Sequence, residues 1–264
     1  MLKQRIITAL LLAPLFLLIV IYGQTLWFAG MILLIGGVAL YEWLKINQLP
    51  VALAVFNAIV LSLLTAYLMS WLPQPVIYFT ALCAVAWLPA LLWLKAHQWG
   101  YRQTGLQIMI KTLFGVVAIL LFMVSMQQLH QNDAGVFRVL SLVFLIWVAD
   151  IGAYFSGKNF GRRKLAVNIS PGKTWEGVIG AQLAVAVYAI ILALLFEYNV
   201  WRLTLIMMAV ALLSVVGDLV ASLGKRQAGV KDSSQLLPGH GGVLDRFDSM
   251  IIAAPVYLIL LSVL

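Results

Sequence analysis

Charged groups able to do phosphate chemistry crowd into one stretch of this chain, Gly217–Ser249, which reads GDLVASLGKRQAGVKDSSQLLPGHGGVLDRFDS. It holds Asp218, Asp232, Asp245 and Asp248, four of the nine carboxylates in 264 residues. Lys225, Arg226, Lys231, Arg246 and one of three histidines, His240, lie among them. Ser222 and Lys225 follow Asp218 at spacings that let one helix face carry all three. Asp245 and Asp248, at i and i+3, share a face of the helix they open. Between them, Pro238-Gly239-His240-Gly241-Gly242 is a tight turn with little side chain, through which backbone N–H groups can approach an anion closely. Carboxylates gathered among phosphate-binding cations point to a hard divalent metal. Mg²⁺ prefers oxygen ligands and is commonly held by one or two carboxylates plus substrate phosphates. Cys/His zinc spacing is absent, and so is a G-x-x-x-x-G-K-[ST] loop. The plain alternative, a solvated loop of mixed charge, does not ordinarily put carboxylates at the ends of both adjoining apolar helices.

Two further places bring charge to the edge of an apolar run. In VADIGAYFSGKNFGRRKL, Asp150 lies several residues inside such a run. A carboxylate there faces the bundle interior or an aqueous cavity, the alternative being an interfacial residue paired with Lys158. The loop Gly157–Trp175 then carries Lys158, Arg162, Arg163, Lys164 and Lys173 and ends in SPGKTWEG. Ser170 with Pro171 predicts a helix start. Lys173 and Glu176 would then share one helix face, and a helix N-terminus rich in lysine and hydroxyls is a phosphate site. An ordinary cation-rich loop with a helix cap is the plainer reading.

The elements that must position these groups are membrane helices. Residues are 64% apolar and 10% charged, against roughly 25% charged in soluble domains, and the mean hydropathy is +1.04. Taking about 20 apolar residues per span, the chain reads as an all-α polytopic membrane protein of about nine spans. They are 6–22, 26–44, 51–71, 75–94, 107–127, 136–155, 176–196, 201–221 and 249–264, the first and last being short. The first, preceded by Lys3 and Arg5, lacks a small-x-small cleavage site and reads as an uncleaved span rather than a signal peptide. A cytoplasmic N-terminus puts every lysine and arginine inside except Arg138 and Arg202, as the positive-inside bias requires. That asymmetry accounts for the net charge of +8 and suits anionic cytoplasmic-leaflet lipids. The cations form no contiguous soluble face, which excludes nucleic acid as a partner.

Residues 1–135 read as scaffold and 136–264 as the half carrying the site. Glu42, the only carboxylate before Asp133, is expected to form an interfacial ion pair with Lys45. Trp27, Trp43, Trp71, Trp93 and Trp99 are expected at headgroup level. Gly36-Gly37 suits close helix packing or a bend, and Pro14 and Pro89 suit kinks. Cys83, the single cysteine, reads as a small buried apolar side chain. His97 and His130 read as solvated loop residues, and 96–107 as a segment along the membrane surface.

The charged stretch resembles the signature of the phosphatidate cytidylyltransferase (CDP-diacylglycerol synthase) family. The match runs through Ser222, Lys225, Arg226, Lys231, Asp232, Pro238, His240, Gly241, Gly242, Asp245, Arg246 and Asp248. Ala149-Asp150 with Ala153-Tyr154, then Ser170-Pro171-x-Lys173-Thr174-x-Glu176-Gly177, then Gly217-Asp218, are similar to the family's other blocks in the same order. Two positions depart. Ala221 stands where an acidic residue is common, and Gly224 where a bulky apolar residue is usual, which is expected to loosen the end of the eighth span. The resemblance implies transfer of a cytidylyl group from CTP to phosphatidate at the cytoplasmic face, with CDP-diacylglycerol and pyrophosphate as products. It implies Mg²⁺ on Asp218 and Asp245 with Asp248 nearby, and leaves room for a second, monovalent cation. Lys225, Arg226 and Lys231 would meet phosphates, and His240-Gly241-Gly242 would turn closely against one. Ser170, Pro171, Lys173 and Glu176 would complete the nucleotide site, and Asp150 would line the cavity. Membrane lipids surround it, the membrane is read as a bacterial cytoplasmic one, and a homodimer through the first half is plausible architecture. A transporter would show internal repeats and midplane charges, and a CDP-alcohol phosphatidyltransferase its D-G-x₂-A-R motif. Neither is present.

Overall fold

The computed structural model describes residues 2–71, 89–131 and 134–262. Cys83, Asp133 and most of the fourth expected span lie outside the described residues. Helices α1 (Leu2–Tyr22), α2 (Thr25–Ile46), α3 (Val51–Trp71), α4 (Gly105–Gln131) and α5 (Gly135–Phe160) lead to a small antiparallel hairpin. Its strands are β1 (Lys164–Ala166) and β2 (Ser170–Thr174), with Lys164 opposite Thr174. Helices α6 (Trp175–Leu195), α7 (Val200–Gln227) and α8 (Leu244–Leu261) complete the described elements, and residues 89–95 are helical too. Helices α2, α4, α5, α6 and α7 are long and apolar enough to cross a membrane, and α1 and α3 contain shorter apolar stretches. With exposed rows such as Leu11, Leu15 and Leu18 on α1 and Phe56, Ile59 and Leu63 on α3, this is an all-α polytopic membrane protein. The hairpin holds the only two strands among the described residues, beside an isolated bridge between Leu237 and Gly241.

Association without a hydrophobic drive between helices depends on close van der Waals contact, which small residues permit. Helices α5 and α6 form the most extensive pair. A Cβ on Gly152 of α5 would lie 2.8 Å from both Ala184 Cβ and the Gly180 carbonyl of α6, and one on Gly180 would strike Ser156. Backbone cannot yield as a side-chain tip can. Gly152→Ala is therefore expected to destabilise the detergent-purified protein by about 1–3 kcal/mol, lowering its thermal midpoint. Gly30→Ala, with nothing within 4 Å of the added carbon, makes the same chemical change and should leave the midpoint unchanged or raise it.

Other small residues pack in the first half. Gly36 backs directly onto Met123 of α4, and Gly37 faces Ser62 of α3, the close packing expected of that pair. Trp43 is a correction: rather than lying at headgroup level it is buried, its indole N–H donating to the Lys111 carbonyl at 3.1 Å. Its ring fills the space that side chains at Gly115 and Gly224 would occupy. That explains Gly224, which is a contact surface and does not loosen the helix; α7 continues unbroken to Gln227. Trp93 is also buried, against Phe114, whereas Trp27 is exposed. His130 is not free in a loop but stacks on Phe28, with ring centroids 4.0 Å apart. The 96–104 segment docks on the end of α7. The Gln227 amide donates to the carbonyls of His97 and Trp99, and Gln103 donates back to the Gln227 carbonyl.

Candidate active site

The hairpin sets one wall of the site, and it forms where a helix start was expected. Pro171 and Gly172 lie in β2, and α6 begins only at Trp175. Thr174 is the cap, its hydroxyl accepting from the Gly177 N–H at 3.1 Å. Lys173 and Glu176 consequently do not share a helix face. Glu176 turns away, its carboxylate accepting the backbone N–H groups of Arg162 and Arg163 at 3.1–3.2 Å. These donors follow the end of α5 and Glu176 lies in the first turn of α6, so its carboxylate ties the start of the hairpin to that helix. Ser170 pairs with Ala166 and Pro171 is exposed; neither lines the cavity described next.

That cavity, about 330 Å³, opens between α5, α6, α7 and the hairpin. Its polar lining is Asp150, Lys158, Lys173 and Asp218, with Ser214 and Ser249, and its apolar lining includes Ala149, Ala153, Val178, Ala181 and Val215. Lys173 reaches across from β2 to an ion pair with Asp218 of α7. Ser222, one turn on, donates its hydroxyl to the Asp218 Oδ1 at 3.1 Å, as the spacing predicts. Asp150 and Asp248 both interact electrostatically with Asp218. Lys158, one of the loop cations and the expected alternative partner of Asp150, lies 5.7 Å over the Tyr154 ring, both residues lining the cavity.

Lys225 ends α7 nearly buried, its Nζ donating to Asp245 Oδ1 at 2.6 Å and lying 3.8 Å from Asp248 Oδ2. The expected pairing of Asp245 and Asp248 on one face is what lets one lysine meet both. Asp245 Oδ2 is also occupied. It accepts the N–H groups of Ser233 and Gly242 at 2.8–2.9 Å and lies 3.0 Å from the Ser233 hydroxyl, whose single proton it shares with Glu42. The Gly242 N–H thus meets one of the protein's own carboxylates. A Cβ on Gly241, whose φ is +81°, would lie 2.8 Å from Asp245, and one on Gly242 would collide with Ser233 and Glu42.

Glu42 is a further correction. It makes no ion pair with Lys45, whose Nζ lies over the Tyr41 ring instead. It is fully buried beneath the 233–244 segment, accepting from two serine hydroxyls and two backbone N–H groups. Its only signal in the sequence was to be a lone carboxylate in a long apolar stretch. The remaining candidates lie outside the cavity. Lys231 and Asp232 are exposed on the loop, Arg226 leans toward the Ile169 carbonyl, Arg246 donates to the His240 carbonyl at 3.0 Å, and His240 meets the Thr8 hydroxyl. Among the described residues no three carboxylates, imidazoles or thiols converge to hold a metal unaided.

The model of the cytidylyltransferase family matches residues 3–264. The phosphatidate cytidylyltransferase of Haemophilus influenzae is 36% identical over 97% of this chain and 97% of that protein. That of Pseudomonas aeruginosa is 38% identical over 99% and 97%, and that of Bacillus subtilis 35% over 98% and 97%. With a cavity lined by lysines, carboxylates and apolar side chains, and a match that runs from end to end, one assignment remains: the chain belongs to the cytidylyltransferase family.

Proposed function

We propose that this protein transfers the cytidylyl group of CTP to phosphatidate, yielding CDP-diacylglycerol and pyrophosphate for phospholipid synthesis. The observation that carries the reading is the mixed lining of the cavity, lysines and carboxylates together with apolar side chains of the helix bundle. A phosphate-headed lipid needs both. Its headgroup would meet Lys173 and Lys158, while its glycerol and acyl chains continue along Ala149, Ala153, Ala181 and Val215.

A phosphatidate oxygen attacks the α-phosphorus of CTP. A new P–O bond forms, the bond to the α–β bridging oxygen breaks, and pyrophosphate departs with its electron pair. The attacking oxygen is already anionic near neutral pH, so no side chain has to remove a proton. Both reactants are negative, so positioning and charge neutralisation supply the catalysis. Asp218 and Asp248 fit a Mg²⁺ that also takes substrate phosphate oxygens. Asp245 is the most heavily bonded of the three carboxylates, held by Lys225, by the Ser233 and Gly242 N–H groups and by the Ser233 hydroxyl, so the second place is assigned to Asp248, whose Oδ2 lies 3.8 Å from Lys225. Bound there, the ion would neutralise phosphate charge, with room for a monovalent cation beside it. Asp245 fixes Lys225, and Lys173 exchanges Asp218 for phosphate. The same reading gives nine spans, a cytoplasmic N-terminus and a bacterial cytoplasmic membrane, with the exposed apolar rows of α1 and α3 facing lipid or a second copy.

Purified full-length protein given labelled CTP, phosphatidate and Mg²⁺ should release pyrophosphate and form a labelled lipid. Omitting phosphatidate should abolish both. Release that is absent, or indifferent to phosphatidate, overturns the proposal.

A further inference from the structure

Glu42 lies in α2, far in sequence from the signature, yet its carboxylate is 0% exposed and meets the signature segment alone. Its Oε1 accepts from the Ser234 hydroxyl at 2.5 Å and the Val243 N–H at 3.0 Å. Its Oε2 accepts from the Ser233 hydroxyl and the Leu244 N–H, both at 2.8 Å. Among the described residues no lysine or arginine pairs with it. A buried carboxylate without a cation is costly unless hydrogen bonds to the charged form replace its hydration, and four donors do so here.

The segment it serves cannot do this work locally. Helix α8 opens with Val243 at the cap position, which has no side-chain acceptor for the first N–H groups of the helix. Such groups are ordinarily met by Ser, Thr, Asp or Asn. Glu42 supplies that acceptor from another helix, and its charge suits a helix N-terminus. Ser233 links it onward: the same hydroxyl lies 2.8 Å from Glu42 and 3.0 Å from Asp245 Oδ2. Asp245 in turn holds Lys225.

We propose that Glu42 is a positioning residue for cytidylyl transfer, setting the place of Asp245 and Lys225 through Ser233 and the 242–244 backbone. The inference rests on the proposed activity for its kinetic meaning. Glu42→Gln keeps the shape but turns an NH₂ toward one backbone N–H that cannot rotate away, whichever way the amide points. Full-length wild type, E42Q, S233A, S234A and the E42Q/S233A double variant are compared for kcat, for KM toward CTP and phosphatidate, and for amide hydrogen exchange.

Displacing a catalytic constellation by an ångström costs up to about 100-fold. The expected result is therefore a kcat for E42Q about 10–100-fold below wild type, with both KM values within about threefold. S234A should lose a smaller factor, and the E42Q and S233A losses should not multiply in the double variant. Exchange at 242–245 should quicken in E42Q while α7 and the rest of α8 stay protected. An unchanged kcat per folded molecule, a loss confined to KM, multiplicative losses, or unaltered exchange at 242–245 overturns the proposal. If E42Q fails to fold, S233A and S234A decide it by the same kcat and exchange readings. A wild type without phosphatidate-dependent turnover would instead refute the activity, and the exchange result would still read the positioning.

Discussion

Asp218→Ala should leave the protein inserted in the membrane and reduce turnover by roughly 10³-fold or more, the scale on which preorganised electrostatic groups act. The two effects separate because of where Asp218 lies. Its side chain is 28% exposed and opens on the cavity, so no sealed core collapses when it is removed. Its partners are Lys173, itself 26% exposed, and the Ser222 hydroxyl, both able to turn to water. A pair of that exposure contributes about 0–1 kcal/mol to stability. Chemically nothing replaces it. Asp150 stands on α5 and Asp248 on α8, and each interacts electrostatically with Asp218. Losing Asp218 leaves Lys173 without its carboxylate and removes one of the two carboxylates proposed to hold the cation. The amount of protein extracted from membranes and its pyrophosphate release are measured side by side. Turnover within tenfold of wild type would remove Asp218 from the chemistry.

The helices were legible because membrane helices announce themselves in one dimension. Runs such as Val51–Trp71 and Trp175–Leu195 end within a residue or two of where hydropathy ends. Charge placement marked the site for the same reason: Asp150, Lys173, Asp218, Lys225 and Asp248 lie where apolar runs meet loops, and the structure gathers them at one end of the bundle. What the sequence hid was partnership over distance. Lys45, three residues from Glu42, offered a local explanation, whereas the true partners lie about 200 residues away and include backbone N–H groups that no side-chain pattern reveals. The Ser170–Thr174 segment misled similarly. Proline after serine is a helix-start signal, but here the chain first has to return along Lys164–Ala166, and the hairpin's pairing outweighs the local preference. Trp43 and Gly224 are intelligible only as a pair, since the glycine has no side chain because the indole fills its place.

Gly242→Ala is expected to cause the largest loss of any single-methyl addition near the site. The new carbon would lie 2.5 Å and 2.6 Å from the two carboxylate oxygens of Glu42 and would strike the Ser233 hydroxyl outright. None of these atoms can withdraw cheaply. The Glu42 carboxylate is held by four donors and Ser233 by two carboxylates, so movement of either leaves buried polar groups without partners, at about 1–3 kcal/mol each. The Gly242 N–H is itself a ligand of Asp245, so the shift reaches Lys225 through a single intervening side chain. Turnover should fall by about 100-fold, and the thermal midpoint should fall as well, unlike the Asp218 variant, because here the contacts are sealed. If instead the glycine serves only to let a substrate phosphate approach, the methyl would raise KM for CTP and leave the midpoint of the ligand-free protein unchanged. Kinetics and thermal unfolding on one preparation therefore distinguish a turn built around the protein's own carboxylates from one built around the nucleotide.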